Sequence, residues 1–158
     1  MENHTAAAGL YWRYEESCIQ EFGDKLINPN YPNTFSMKLM RYIQPKIMRI
    51  KTFFHGIGRH SIDEIAEFSF EDLKAISNLL GDKPYFNGDQ PSTIDCTVFG
   101  QLVQFVLVPM EIPQKKFIKE NCSNLEKFVL RMKNEFWPDW DQMCENSCMN
   151  GKKAESLC

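Results

Sequence analysis

GDKPYFNGDQPSTIDCTVFG, residues 81 to 100, sets two glycine-containing turns before Ser92-Thr-Ile-Asp95 and then enters an apolar run that lasts to Val108. Two readings compete: a catalytic carboxylate and thiol side by side at Asp95 and Cys96, or the start of a helix. A hydroxyl at the N-cap and an acid at the third helical position can each satisfy an orphan backbone N–H, and the acid sits at the favourable end of the helix dipole. General acid–base work needs a cleft, a partner and a tuned pKa, whereas the local sequence offers a helix start. Ser92 and Asp95 are therefore read as a structural capping box. Cys96 follows one turn in. A thiol there can be an activated nucleophile, but within an apolar helix it reads as an inert core residue.

About a dozen residues behind an N-cap suit a helix better than a buried strand. Phe99, Val103, Val106 and Leu107 share one face, which Leu102 and Phe105 widen. This pattern predicts the central, most buried helix. Gly100 inside it costs roughly 1 kcal/mol relative to Ala, which predicts close approach of a neighbouring helix.

Working outward, Ser61-Ile-Asp-Glu64, Ser69-Phe-Glu-Asp72 and Ser123-Asn-Leu-Glu126 repeat the hydroxyl-to-acid spacing and predict further helix starts. The stops fit between them. Gly56 and Gly58 end a segment that begins near Ser36, and Gly81 closes the one carrying Leu73, Ile76, Leu79 and Leu80. Pro109, Pro113 and Pro138 bound the later segments. Pro45 lies inside the first long segment and predicts a cap or kink there. The fold class is all-α, with one helical domain over 1–140 and a flexible polar tail over 141–158.

The chain has 158 residues, 43% of them apolar, and a formal charge of −3. One core is expected, and the balance gives no general attraction to nucleic acid. The N-terminus lacks a signal-peptide layout and no run is long enough to span a membrane. The six cysteines are scattered, which fits reduced thiols and a cytoplasmic protein.

LGDKPYFNGDQPSTIDCTVFGQL resembles the centre of the C-terminal all-helical domain of glutathione transferases, where a Gly-containing turn precedes a Ser/Thr-x-x-Asp box. HGIGRHSIDEI, Asp72-Leu73, LGDKPYF and the early MENH and YWRY resemble the failed-axon-connections and cadmium-responsive branch, related to metaxins. The resemblance implies a glutathione-transferase C-terminal-type helical bundle in which the Ser92–Asp95 box is a folding element. In that family glutathione is held and activated by an N-terminal thioredoxin-like domain. Met1 already lies within what resembles the first helix of the C-terminal domain, so the resemblance implies a truncated isoform or a fragment.

The expected function is therefore a non-catalytic helical domain acting in protein interaction, with axon development and metal stress response as roles implied by the resemblance. No catalytic or cofactor residue is expected in the chain, and glutathione enters only if a thioredoxin-like domain is supplied. The alternative is the C-terminal half of a glutathione-dependent detoxifying transferase. A protein partner or the missing N-terminal domain is expected, and a homo-oligomer is open. The resemblance to metaxins adds the mitochondrial outer-membrane surface as an alternative location.

Four further features invite chemistry. Gly56, Gly58, Arg59 and His60, with His55, could hold a phosphate or a metal. No acid or Cys at ligand spacing completes a site, and a loop packed by its glycines is the expectation. Residues 34 to 59 hold six basic side chains and no acid; Lys46 and Arg49 are the candidate interaction surface, against a solvated face neutralised by neighbouring acids. Cys144-x3-Cys148 and Cys158 are soft-metal candidates without a four-ligand pattern. Trp137 and Trp140, with Tyr11, Trp12 and Tyr14, are expected to pack between helices or to rest against a neighbouring domain.

Overall fold

The structure, a computed structural model, describes residue 9, residues 35–108 and residues 111–146. Six α-helices occur among them: α1 (Phe35–His55), α2 (Ile62–Leu80), α3 (Thr93–Val106), α4 (Pro113–Asn121), α5 (Ser123–Phe136) and α6 (Trp140–Asn146), with a 3₁₀ turn at Ile57–Arg59. There is no β-strand among the described residues; Tyr85 and Gly88 form one isolated antiparallel bridge. The bundle is all-α, as the periodicity predicts.

Helices α2 to α5 pack on one another around a single apolar core. Leu73, Ile76 and Leu80 of α2, Val98, Phe99, Leu102 and Phe105 of α3, Ile118 of α4, and Leu125, Phe128, Val129 and Met132 of α5 meet in it. Each set repeats at three- and four-residue steps, so each helix turns one stripe inward. On α3 the fully buried line runs through Val98, Phe99, Leu102 and Phe105, with Val103, Val106 and Leu107 half-buried at its flank. The buried face is thus rotated from the sequence reading, because Asp95 and Val98 also turn inward. Leu79 is exposed, since the inward stripe of α2 passes through its neighbours Ile76 and Leu80.

Local signals set the ends. Ser61 and Glu64 form a complete capping box on α2, and Gly81, at φ 58°, closes that helix. Pro113 occupies the first turn of α4, where its missing N–H costs nothing. α1 is helical on both sides of Pro45.

Two expected helix starts are corrected. Ser69 lies in mid-α2, fully buried, with its hydroxyl donating to the Ala66 carbonyl at 2.7 Å. It also accepts the Gln114 amide of α4 at 3.1 Å, so it joins two helices instead of capping one. Ser123 is the first residue of α5, and Cys122 serves both as the end of α4 and as the start of α5. The polar link at this corner belongs to Asn124. Its amide donates to the carbonyls of Ser77 and Gly81 at 2.9 and 3.1 Å, and its carbonyl accepts the Ser77 hydroxyl at 2.6 Å.

The tail expected over 141–158 is described only as far as residue 146. Trp140–Asn146 are helical, with Lys133 of α5 bound to Asp141 at 2.7 Å and the Trp140 ring edge-on to Phe99. Residues 147 to 158 lie outside the described residues.

Candidate functional site

The quoted stretch forms a compact corner. Tyr85 and Gly88 exchange backbone hydrogen bonds at 3.0 and 3.1 Å, and Gly88 takes φ 110°, which suits a residue without Cβ. Ser92 then caps α3. The Asp95 carboxylate is fully buried. One oxygen accepts the Phe86 N–H at 2.8 Å, and the other accepts the Ser92 N–H at 2.8 Å and its hydroxyl at 2.6 Å. Burial, the largest single influence, pushes the Asp95 carboxyl up. The hydrogen bonds from the Ser92 hydroxyl, the Phe86 N–H and the Ser92 N–H together outweigh it and hold the group below the usual carboxylate value.

An acid in that state is a poor proton shuttle. It is ionised, both oxygens carry fixed donors, and no water-filled approach is needed to satisfy it. The same turn is tied to α5 at two further points: Arg131 donates to the Pro84 carbonyl, and the Tyr85 hydroxyl donates to Glu135. The bond to Glu135 and burial raise the Tyr85 phenol above its ordinary value.

Cys96 is exposed, which corrects the expectation of a core residue. The inward face of α3 passes through Asp95, Val98 and Phe99 and leaves position 96 outside. Gly100 is likewise exposed, and a Cβ there would meet nothing within 4 Å. The expected close approach of a helix at Gly100 is absent among the described residues.

Close approach occurs instead at Gly58. A Cβ there would lie 2.7 Å from the Phe53 nitrogen and 2.8 Å from the Thr52 carbonyl carbon, so the 3₁₀ turn rests directly on the backbone of α1. Gly56, at φ 104°, reverses the chain. Arg59 holds the turn from outside: its Nε donates to the Phe53 carbonyl at 3.2 Å, and the guanidinium lies 5.1 Å from the Phe53 ring centre. His60 faces Glu64 at 3.8 Å and packs edge-on against Phe68; His55 is exposed at the end of α1.

The outward face of α1 is unusual. Ile47, Ile50, Phe53 and Phe54 are 44%, 56%, 51% and 77% exposed, and Leu39 and Tyr42 are exposed beyond them. Steps of three and four residues place Leu39, Ile47, Ile50 and Phe54 on one stripe, with Tyr42 and Phe53 along its side. Lys46 lies within this face, 3.7 Å from the Tyr42 ring centre. Among the described residues, none of Lys46, Arg49 and Lys51 forms an ion pair. A hollow of about 290 Å³ opens beside this stripe, lined by Arg49, Ile50, Thr52, Phe53, Phe54 and Gly58. Sequence reading singled out Lys46 and Arg49 but missed the apolar stripe. The signal was present as the spacing of Leu39, Ile47, Ile50 and Phe54, which a sequence reader assigns to the core.

Trp137 stacks on Phe99 with centroids 4.8 Å apart, so the aromatic pair of EFWPDW packs against the bundle core. Cys144 is half-buried on α6, and no group of three or more metal-binding side chains occurs among the described residues. Cys148, Cys158, Tyr11, Trp12 and Tyr14 fall outside the described residues. No described helix is long and apolar enough to cross a membrane.

Comparison with known proteins agrees with this architecture. Residues 70–132, from mid-α2 through most of α5, match the family "Glutathione S-transferase, C-terminal domain". The chain is 34% identical to failed axon connections of Drosophila melanogaster over 162 residues, covering 95% of this chain and 38% of the relative. It is 27% identical to mouse metaxin-2 over 141 residues, covering 89% of this chain and 53% of the relative. An isoprene-epoxide glutathione S-transferase from Rhodococcus is 28% identical over 81 residues, 51% of this chain and 34% of that enzyme. No solved structure gives a significant match. The chain thus spans about two fifths to one half of the length of the first two relatives. Over the bundle that surrounds the Ser92–Asp95 box, it belongs to the glutathione S-transferase C-terminal domain family, in the company of failed axon connections and the metaxins.

Proposed function

We propose that this chain acts as a non-catalytic helical interaction domain and that the outward face of α1 is its docking surface for protein. One observation carries the reading: Ile47, Ile50, Phe53 and Phe54 stand exposed in one patch beside Lys46, Arg49 and Lys51, which form no ion pair among the described residues. Scattered exposed apolar residues are ordinary, but a contiguous stripe rimmed by polar groups marks a contact site. Fully burying a Phe or Ile side chain is worth about 1.5–3 kcal/mol, so this stripe supplies enough driving force for association once covered. The similarity to failed axon connections and metaxin-2 along most of the chain supports this reading over a detoxifying transferase. No cofactor is proposed for the chain alone. The proposed place of action is the cytoplasm, with the mitochondrial outer-membrane surface as the alternative suggested by the metaxin resemblance.

The test combines sedimentation with binding of an apolar dye. The unmodified chain should associate with concentration or bind dye, and Ile50→Glu with Phe54→Glu should abolish both without lowering the melting temperature. A clean monomer that binds no dye would overturn the docking surface. Specific retention of the chain on glutathione-agarose would overturn the non-catalytic reading.

A further inference from the structure

We propose that the α1 face takes an acidic amphipathic helix of a partner protein, with a large apolar side chain seated in the hollow beside Phe53 and carboxylates meeting Lys46, Arg49 and Lys51. The inference rests on the docking surface proposed above and assigns the chemistry of its occupant.

Size argues first. At about 290 Å³ the hollow is at or below the roughly 300–1,000 Å³ of small-molecule sites. It suits a single anchoring side chain, the arrangement found at the energetic centre of protein interfaces. One side of it is already built. Gly58 lies against the backbone of Thr52 and Phe53, and Arg59 fixes the Phe53 carbonyl and covers its ring. An anchor therefore meets a hollow whose Gly58 and Phe53 side is already held in place, which lowers the cost of ordering the site. Thr52, at the base, spends its hydroxyl on the carbonyls of Met48 and Arg49 at 2.9 and 3.0 Å, so it presents no unsatisfied donor to an apolar guest.

Charge then selects the partner. Residues 34 to 59 contain six basic side chains and no acid, and Lys46, Arg49 and Lys51 are exposed without an ion pair among the described residues. A helix bringing its own cations would be repelled, whereas one flanked by Glu or Asp is steered in and held in register. The stripe has the i, i+3, i+4 spacing by which helices lie in grooves. An anionic bilayer shares the charge preference and would accept an amphipathic helix, but a fluid lipid surface gains nothing from a preformed hollow.

Two synthetic peptides of about 20 residues, long enough to span some 30 Å of helix, provide the probe. They carry one identical Leu/Phe stripe, flanked by Glu in one and by Lys in the other. Fluorescence anisotropy should show the Glu peptide binding at least about tenfold more tightly, with the advantage shrinking as salt is raised. Lys46→Glu with Arg49→Glu should reverse the preference, while Ile50→Glu should weaken both peptides and leave the circular dichroism spectrum and melting temperature unchanged. Equal affinity for the two peptides would overturn the acidic partner yet leave an adhesive apolar face. Binding of neither peptide, with binding to vesicles of phosphatidylcholine and phosphatidylserine, would overturn it in favour of a membrane surface. Binding of nothing, by a chain that still takes up apolar dye, would overturn the acidic helix alone; loss of dye uptake as well would remove the docking surface with it.

Discussion

The Asp95 carboxylate accepts the backbone N–H of Phe86 at 2.8 Å, reaching across nine residues of chain. The acid of the capping box thus also fastens the turn that precedes the helix. Phe86, held there, meets Phe128 edge-on at 5.3 Å in the core. One side chain couples local helix initiation to tertiary packing.

Asp95→Ala should therefore cost more than the loss of a cap. Removing the cap is worth about 1 kcal/mol, and stranding the buried Phe86 N–H adds about 1–3 kcal/mol. With about 2–4 °C per kcal/mol in a chain of this size, the melting temperature should fall by roughly 5–15 °C. Ser92→Ala should cost only about 1 kcal/mol. Equal losses from the two variants in thermal denaturation would show that the bond to Phe86 contributes nothing.

Acid should act through the same group. The Asp95 carboxyl is held below its ordinary value in the fold, so between that value and the unfolded value of about 3.9 the unfolded chain binds more protons. Its contribution is complete above about pH 4 and is lost as pH falls toward the folded value. Asp95→Asn should flatten this acid limb in urea denaturation series. Glu64, held down by hydrogen bonds from the backbone and side chain of Ser61, should leave a residual slope. An unchanged limb in the Asn variant would count against the assignment.

Two glycines should respond in opposite directions to alanine. Gly58→Ala drives a Cβ into the backbone of Thr52 and Phe53 and should destabilise by about 1–3 kcal/mol. Gly100→Ala places a methyl in open space on a helix and should stabilise by about 0.5–1 kcal/mol. Melting curves of the two variants decide both signs.

Thiol accessibility provides a separate check on the orientation of α3. Iodoacetamide should label Cys96 in the folded chain and spare Cys122, which is buried between α4 and α5. Peptide mapping by mass spectrometry reads both sites. Protection of Cys96 would mean that the face of α3 is rotated from the one described.

Helix type and most helix ends were legible in the residues, because they depend on contacts within a few positions. The apolar spacing of α2, the Ser61 and Ser92 boxes, the reversal at Gly81 and the stop at Pro138 are all of this kind. The misread positions share a different cause. Ser69 carries the same spacing as Ser92, but the apolar periodicity on both sides keeps α2 continuous through it, and Gln114, 45 residues away, takes its hydroxyl. Ser123 lost its expected role to Cys122 because two helices meet at one buried residue, leaving no room for a separate cap.

The sequence alone determined an all-α bundle, the start of α2 at Ser61 and its end at Gly81, and the Ser92–Asp95 box that opens α3, since hydrogen bonds one turn apart and a 3.6-residue period are properties of neighbouring residues. The tertiary structure decided which way each face turns. Cys96 and Gly100 lie outward and the Ile47 to Phe54 stripe is left uncovered, because burial depends on the helices that pack alongside, and those partners lie tens of residues away along the chain.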